Sequence, residues 1–438
     1  MLWKNMVTAL EKQSGKDSCK VFHKPTALMM AAGKKFLNHL KSITERRCAE
    51  KQKTKCPTFV CLFFKTAQMT ASFFKFRFAG EMRAPRVVRI WLIAGLVMVF
   101  MQIVIGGITR LTGSGLSITR WEIVTGAVPP LSEAKWLAEF ELYKQTPQYQ
   151  KINQGMALED FKFIYFWEYF HRLWARLMGF VFIFPFVWFW ARGRMPRRLV
   201  PWLTAVVLLA GLEGFFGWIM VASGLNQRPW VNAYNLTLHL CMGFVIFGVL
   251  LWATFIAFQP ESPGQRLARI SQRFAWGVLA LAFVQIALGA MMSGSKAGLF
   301  YPTWPDMQGA YLPSVLTEGG HWVRDSFVHY DTNPFMPALI QFLHRNTAYL
   351  LSGLVAYFAW RALAERISAT FRASVWGLLL LLGAQVLLGI LTLINCKSRI
   401  PVTLGVLHQA GAVLLFGILL FVCYQMSGAA KKNPNAAN

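Results

Sequence analysis

Acidic residues are scarce in this 438-residue chain: 19 Asp and Glu stand against 45 Lys and Arg, a net charge of +26. Such a balance would suit a nucleic-acid partner, but no basic stretch sits on a recognisable reading module. The basic residues fall between apolar runs, where membrane topology explains them. Cysteine is sparse too. Four of the seven (Cys19, Cys48, Cys56, Cys61) lie in the first 81 residues without metal-ligand spacing, and Cys241, Cys396 and Cys423 are scattered in or beside apolar segments. Nothing in that distribution reads as a disulfide framework. What is abundant is apolar surface: 55% hydrophobic residues, 36 Phe and 17 Trp, with a mean hydropathy of +0.41. These values predict a polytopic membrane protein with membrane lipid as its surroundings.

Residues 1–81 differ from the rest, with 16 basic and 5 acidic residues and no spanning segment. They are too acidic and too Lys-rich for a good transit peptide, and are expected to be a disordered or spurious extension ahead of Met82. Eight candidate spans follow, at 90–109, 163–190, 199–222, 235–258, 274–293, 336–360, 372–395 and 402–425. Pro185 is a candidate kink in the second. Arg192, Arg194, Arg197 and Arg198 fill one set of links with Arg266, Arg269, Arg273, Arg361, Arg366 and Arg372, whereas 110–162 and 294–335 carry no basic excess. The positive-inside bias then places both termini in the cytoplasm, or in the matrix of a mitochondrion, and the two long loops outside.

The chain repeats itself. Gln102-Ile103-x-x-Gly106 is echoed by Gln285-Ile286-x-x-Gly289, His171-Arg172 by His344-Arg345, Gly211 and Gly217 by Gly383 and Gly389, and Leu238-His239 by Leu407-His408. Four spans per repeat keep both halves in one orientation, so the repeat is parallel. The expected fold is an all-α membrane protein of eight transmembrane helices in two pseudo-symmetric four-helix bundles, 82–262 and 263–427, with a tail at 428–438.

Of eight histidines, His23 and His39 lie in the extension and His321 and His329 in an outer loop. The other four, His171, His239, His344 and His408, each open an even-numbered span and therefore share one depth. Two imidazoles facing across a bundle are what axial ligation of a haem iron requires. Zinc fits less well, since two histidines per bundle leave ligands missing. Arg172, Arg345 and Arg110 are candidates to hold haem propionates, snorkelling being the alternative. The Gly106-Gly107 and Gly211/Gly214/Gly217 sets are read as helix packing. Glu168 breaks the symmetry, because the matching residue is Gln341. One turn from His171, its carboxylate could take up protons or stabilise positive charge beside a reacting carbon, or could pair with Arg172 or Arg110. Glu213 aligns with Gln385, and its role is left open between structure and a proton path.

The stretch from Gly106-Gly107-Ile108-Thr109-Arg110 to Gly115-Leu116-Ser117, the Glu168-x-x-His171-Arg172 motif, His239, His344-Arg345, His408 and Tyr301-Pro302-Thr303-Trp304-Pro305-x-Met307 together resemble the haem A synthases. The similarity covers about 83–425. It implies oxidation of the C8 methyl of haem O to a formyl group, giving haem A for terminal oxidases, with water as the oxygen source. It further implies a permanent haem b between His344 and His408. Substrate haem O is implied between His171 and His239, with Glu168 over the reacting edge as the catalytic residue. Cysteine pairs found in the outer loops of some members are absent from 110–162 and 294–335, so the chain resembles the cysteine-lacking branch shared by some bacteria and mitochondria. The alternatives are a bis-histidine dihaem electron carrier and a haem-transfer assembly protein without chemistry. Expected partners are an electron acceptor, haem O synthase and terminal oxidase subunits, with no nucleic acid. The expected location is the bacterial plasma membrane, the mitochondrial inner membrane being the alternative.

Overall fold

The computed structural model describes residues 83–120, 128–225, 228–259, 263–268 and 270–427; the expectations for 1–81 and for the 428–438 tail lie outside the described residues. Among the described residues eight long helices carry the fold: α1 (Arg86–Leu111), α2 (Leu158–Ala191), α3 (Val200–Leu225), α4 (Ala233–Phe258), α5 (Gln272–Gly294), α6 (Phe335–Leu363), α7 (Ala369–Ile394) and α8 (Val402–Ser427). Among the described residues there is no β-strand, only one isolated bridge between Met307 and Ala310. The chain is an all-α membrane protein. Seven of the eight helices are long and apolar enough to cross a membrane. The exception, α6, has the length at 29 residues but carries Gln341, His344, Arg345 and Asn346 in one stretch.

Local chemistry sets the helix ends. The hydroxyls of Ser271 and Ser368 accept from Phe274 N and Phe371 N and so start α5 and α7. Asn232 does the same for α4, accepting from Tyr234 N and Asn235 N. Glu159 and Asp160 stand in the first turn of α2, where the helix dipole favours acids. Pro185 sits inside α2 without ending it.

The helices are not equally buried. Half of the apolar window of α8 and 44% of that of α4 are buried, against 17% for α2 and α3 and 11% for α7. The centre is therefore built from α4 and α8 with α1 and α5 against them, and the outward faces of α2, α3 and α7 are apolar surface suited to lipid. Contact across the centre is close. Gln409 of α8 donates Nε2 to the carbonyl of Ile103 in α1 at 2.6 Å, and Phe244 meets Phe416 edge-on with centroids 5.8 Å apart.

Two long connections lie at one end of the helices. The described residues of the first hold two short helices, Glu133–Lys144 and Pro147–Lys151, packed on α2 through Phe140, Tyr143, Phe161 and Tyr165. The second, between α5 and α6, packs Met307, Leu316 and Tyr330 against Phe335 and Met336. Its Tyr330 hydroxyl accepts from Ala233 N at 2.8 Å and so helps cap α4.

The approach of α5 to α4 gives a paired test. A Cβ on Gly294 would lie 2.7 Å from Ala233 Cβ, whereas one on Gly277 of the same helix would meet nothing within 4 Å. Gly294→Ala is expected to cost about 1–3 kcal/mol by overpacking. Gly277→Ala is expected to be neutral or to stabilise by up to about 1 kcal/mol through helix propensity. Thermal unfolding in detergent checks both, and equal midpoints for the two variants would contradict the packing described.

Candidate functional site

A cavity of about 1410 Å³ runs through the helical region, and His171, His239, His344 and His408 all line it. That volume exceeds the roughly 300–1,000 Å³ usual for one small-molecule site, so it suits more than one bulky ligand.

Each of the four histidines rests against a glycine of the preceding helix. A Cβ built on Gly106 of α1 would lie 3.0 Å from His171 Cε1, and one on Gly217 of α3 would lie 3.1 Å from His239 Cε1. The same relation joins Gly289 of α5 to His344 at 3.1 Å and Gly389 of α7 to His408 at 2.9 Å. Any larger residue at these positions would push the ring away. Gly106 and Gly217, read from the sequence as helix packing, thus pack specifically on histidine rings; Gly211 and Gly214 meet nothing within 4 Å.

A polar side chain stands one helical turn before each of these glycines, beside the same histidine. Gln102 Nε2 lies 3.3 Å from His171 Nε2, and Gln285 Nε2 lies 3.3 Å from His344 Nε2 and donates to the His344 carbonyl at 3.0 Å. Gln385 donates to the His408 carbonyl at 2.9 Å. The fourth is Glu213, whose Oε1 is 3.1 Å from His239 Nδ1 but out of line for a hydrogen bond, while its buried Oε2 has no partner. These four were not singled out as a set from the sequence. The signal was there: Gln or Glu, three residues, then Gly recurs in every odd-numbered span.

Nδ1 of all four histidines is buried without a hydrogen-bond partner. His171 of α2 and His239 of α4 line the cavity in the first half of the chain, as His344 of α6 and His408 of α8 do in the second. Each pair therefore offers two imidazoles to one cavity, which is the donor set of a bis-histidine haem. No group of three or more His, Cys, Asp or Glu among the described residues is placed to hold a bare metal ion. The residues present fit haem.

Glu168 is 2% exposed and lines the cavity. Its Oε2 accepts from Ser117 Oγ at 2.8 Å and from Ile118 N at 2.9 Å, and its Oε1 pairs with Arg172. Arg172 also donates to the carbonyls of Ile118 (3.3 Å) and Arg120 (3.2 Å). The corresponding residues of α6 do the same for the other connection. Gln341 donates to the Tyr301 carbonyl at 2.7 Å, and Arg345 donates to the carbonyls of Pro305 (2.6 Å), Asp306 (2.7 Å) and Thr303 (3.0 Å). Both motifs thus fasten the stretch that follows the preceding helix. Arg110 reaches across to α5, donating to the Ser293 carbonyl at 2.7 Å.

Helical fold, paired histidines and cavity define a membrane protein built to hold haem, and sequence comparison places it further. A profile of the cytochrome oxidase assembly protein family matches residues 89–420. The chain is 45% identical over 350 residues to the heme A synthase of Rhodospirillum centenum, covering 79% of this chain and 91% of that protein. It is 42% identical over 337 residues to that of Parvibaculum lavamentivorans, covering 77% and 93%. It is 40% identical over 344 residues to that of Nitrosospira multiformis, again covering 77% and 93%. The chain belongs to this family, that of the haem A synthases.

The anchoring role of Arg345 is testable without any ligand. Arg345→Ala leaves three loop carbonyls without their charged donor, each such bond being worth about 1.5–3 kcal/mol. Limited proteolysis within 301–313 should accelerate and the thermal midpoint should fall. Unchanged cleavage would show that the loop is held by something else.

Proposed function

We propose that the protein is a haem A synthase that oxidises the C8 methyl of haem O to a formyl group, with water as the oxygen source. The observation that carries this reading is the placement of carboxylates. The family relation covers nearly the whole helical region, and within it Glu168 and Glu213 stand beside the His171–His239 pair where the other pair has Gln341 and Gln385. Two matched sites with unequal charge suit one reacting ligand and one resident cofactor.

In this proposal all eight helices span the membrane as two four-helix bundles, 82–262 and 263–427. His171 and His239 bind substrate haem O, and His344 and His408 hold haem b. When bound there, haem b supplies one-electron redox chemistry. Gly106, Gly217, Gly289 and Gly389 set the imidazole planes by close contact, which fixes where the iron of each ligand is taken up. Arg345 and Gln341 close the resident site by holding the 301–306 stretch over it. Arg172 and Arg110 place positive charge at the end where substrate carboxylates enter. Electrons leave to an acceptor outside this chain, and haem O synthase and terminal oxidase subunits are the partners that supply substrate and use product. The site faces the outer side of a bacterial plasma membrane, with both termini cytoplasmic.

Glu168 would act on the substrate directly. Loss of hydrogen from the methyl develops positive charge at that carbon, and a carboxylate stabilises it more strongly in a dry cavity than in water. Ser117, Ile118 and Arg172 fix the carboxylate, so its charge is in place before reaction. The Arg172 pair also favours a second reading, in which Glu168 only anchors the loop after α1.

Glu168→Gln separates the two. The catalytic role predicts normal haem O binding, retained haem b and a fall of about 10²–10³ in haem A formation. Haem A yield near wild type would leave Glu168 as an anchor alone. In the other pair, His344→Ala or His408→Ala should each remove a tightly held low-spin haem b; an unchanged haem b spectrum in either variant would refute that ligand assignment.

A further inference from the structure

Two cations at the long-connection end of the cavity have no carboxylate partner among the described residues. Arg110, in the last turn of α1, donates Nη2 to the Ser293 carbonyl, while its buried Nε has no hydrogen-bond partner. The backbone N–H of Lys296 donates to that same carbonyl at 3.2 Å. One unsatisfied acceptor at the C-terminus of α5 therefore holds both residues side by side, at a helix end that attracts positive charge. The Lys296 ammonium lies 4.2 Å from the centroid of the Trp230 ring, so it leans across to the α3–α4 connection, and Arg110, Lys296 and Trp230 all line the cavity. Among the described residues neither cation forms an ion pair with a carboxylate.

The local backbone adds a second observation. Lys296 has φ of 54°, left-handed, at the residue that leads from α5 into the short helix Ala297–Phe300. Glycine is favoured in that conformation, so a lysine there carries a conformational cost. Burial first, and then the neighbouring Arg110 charge, push the Lys296 ammonium below its ordinary range. A bound anion would offset both effects.

We propose that Lys296 and Arg110 together receive a carboxylate of the substrate, so that a residue from the second half of the chain completes the substrate site in the first. The proposal rests on the reading that the His171–His239 pair binds a haem, whose propionates are the carboxylates concerned. Arg110 supplies a planar donor already braced on Ser293, and Lys296 an ammonium braced on Trp230. The cavity runs past both residues to the histidines, so a planar ligand on iron could reach them with its charged edge.

The test uses the full chain in detergent, already holding one tightly bound haem, titrated with iron protoporphyrin IX and separately with its dimethyl ester. Soret absorbance follows uptake of the second equivalent. Wild type should prefer the free acid. Lys296→Gly removes the charge while placing the residue best suited to the backbone, so misfolding is not the expected cause of any loss, and retention of the first haem reports the fold. Lys296→Gly should lose about tenfold in affinity for the free acid, the size of one charge-assisted contact, and little for the ester. Lys296→Arg should keep the preference. Undiminished preference for the free acid in Lys296→Gly overturns the carboxylate site. Failure of the histidine reading looks different: wild type takes up no second haem, or His239→Ala takes it up with an unchanged spectrum, and either result removes both proposals together.

Discussion

Close contact between a histidine ring and a glycine of the helix before it is the constraint on which the site depends. It occurs four times, with a Cβ-to-Cε1 separation of 2.9–3.1 Å at each. Helices in a membrane gain little from the hydrophobic effect between them, so small residues that allow close approach determine which faces meet. Here those faces carry the imidazoles, and the same contact that brings α1 to α2 or α7 to α8 also orients a histidine ring. The polar residue one turn earlier completes the unit, touching the ring or its backbone in every case.

Upon that repeated unit the two halves of the chain differ by charge. Glu168 and Glu213 serve the first pair of histidines, Gln341 and Gln385 the second. Ionisable groups in a membrane interior are costly, and an amide would serve equally well for packing. The carboxylates are therefore the feature that separates the two halves, and the proposed division into a reacting and a resident site rests on them. The two halves nevertheless depend on each other. Gln409 of α8 bonds α1, Tyr330 of the second connection caps α4, and Arg110 braces α5.

Much of this was legible in the residues themselves. The four histidines, the Glu168/Gln341 asymmetry and the parallel echo of motifs follow from spacing alone, because helical periodicity translates directly into shared faces. Seven of the eight expected spans met the length and apolarity needed to cross a membrane; α6 did not, because Gln341 to Asn346 lower its apolar character. The roles of Arg172 and Arg345 were harder to read. Their partners are carbonyls at 118–120 and 303–306, in irregular backbone that has no period to follow. Lys296 carries no signal in the sequence for a similar reason: its meaning comes from a left-handed φ and a shared carbonyl, neither of which is written in residue type.

The most direct test of the account is the identity of the haems extracted from the purified wild-type protein after haem O is supplied. An enzyme with one reacting and one resident site should return haem b together with haem A formed from the added haem O. Recovery of haem b with unaltered haem O alone, in the presence of a competent electron acceptor, would contradict it.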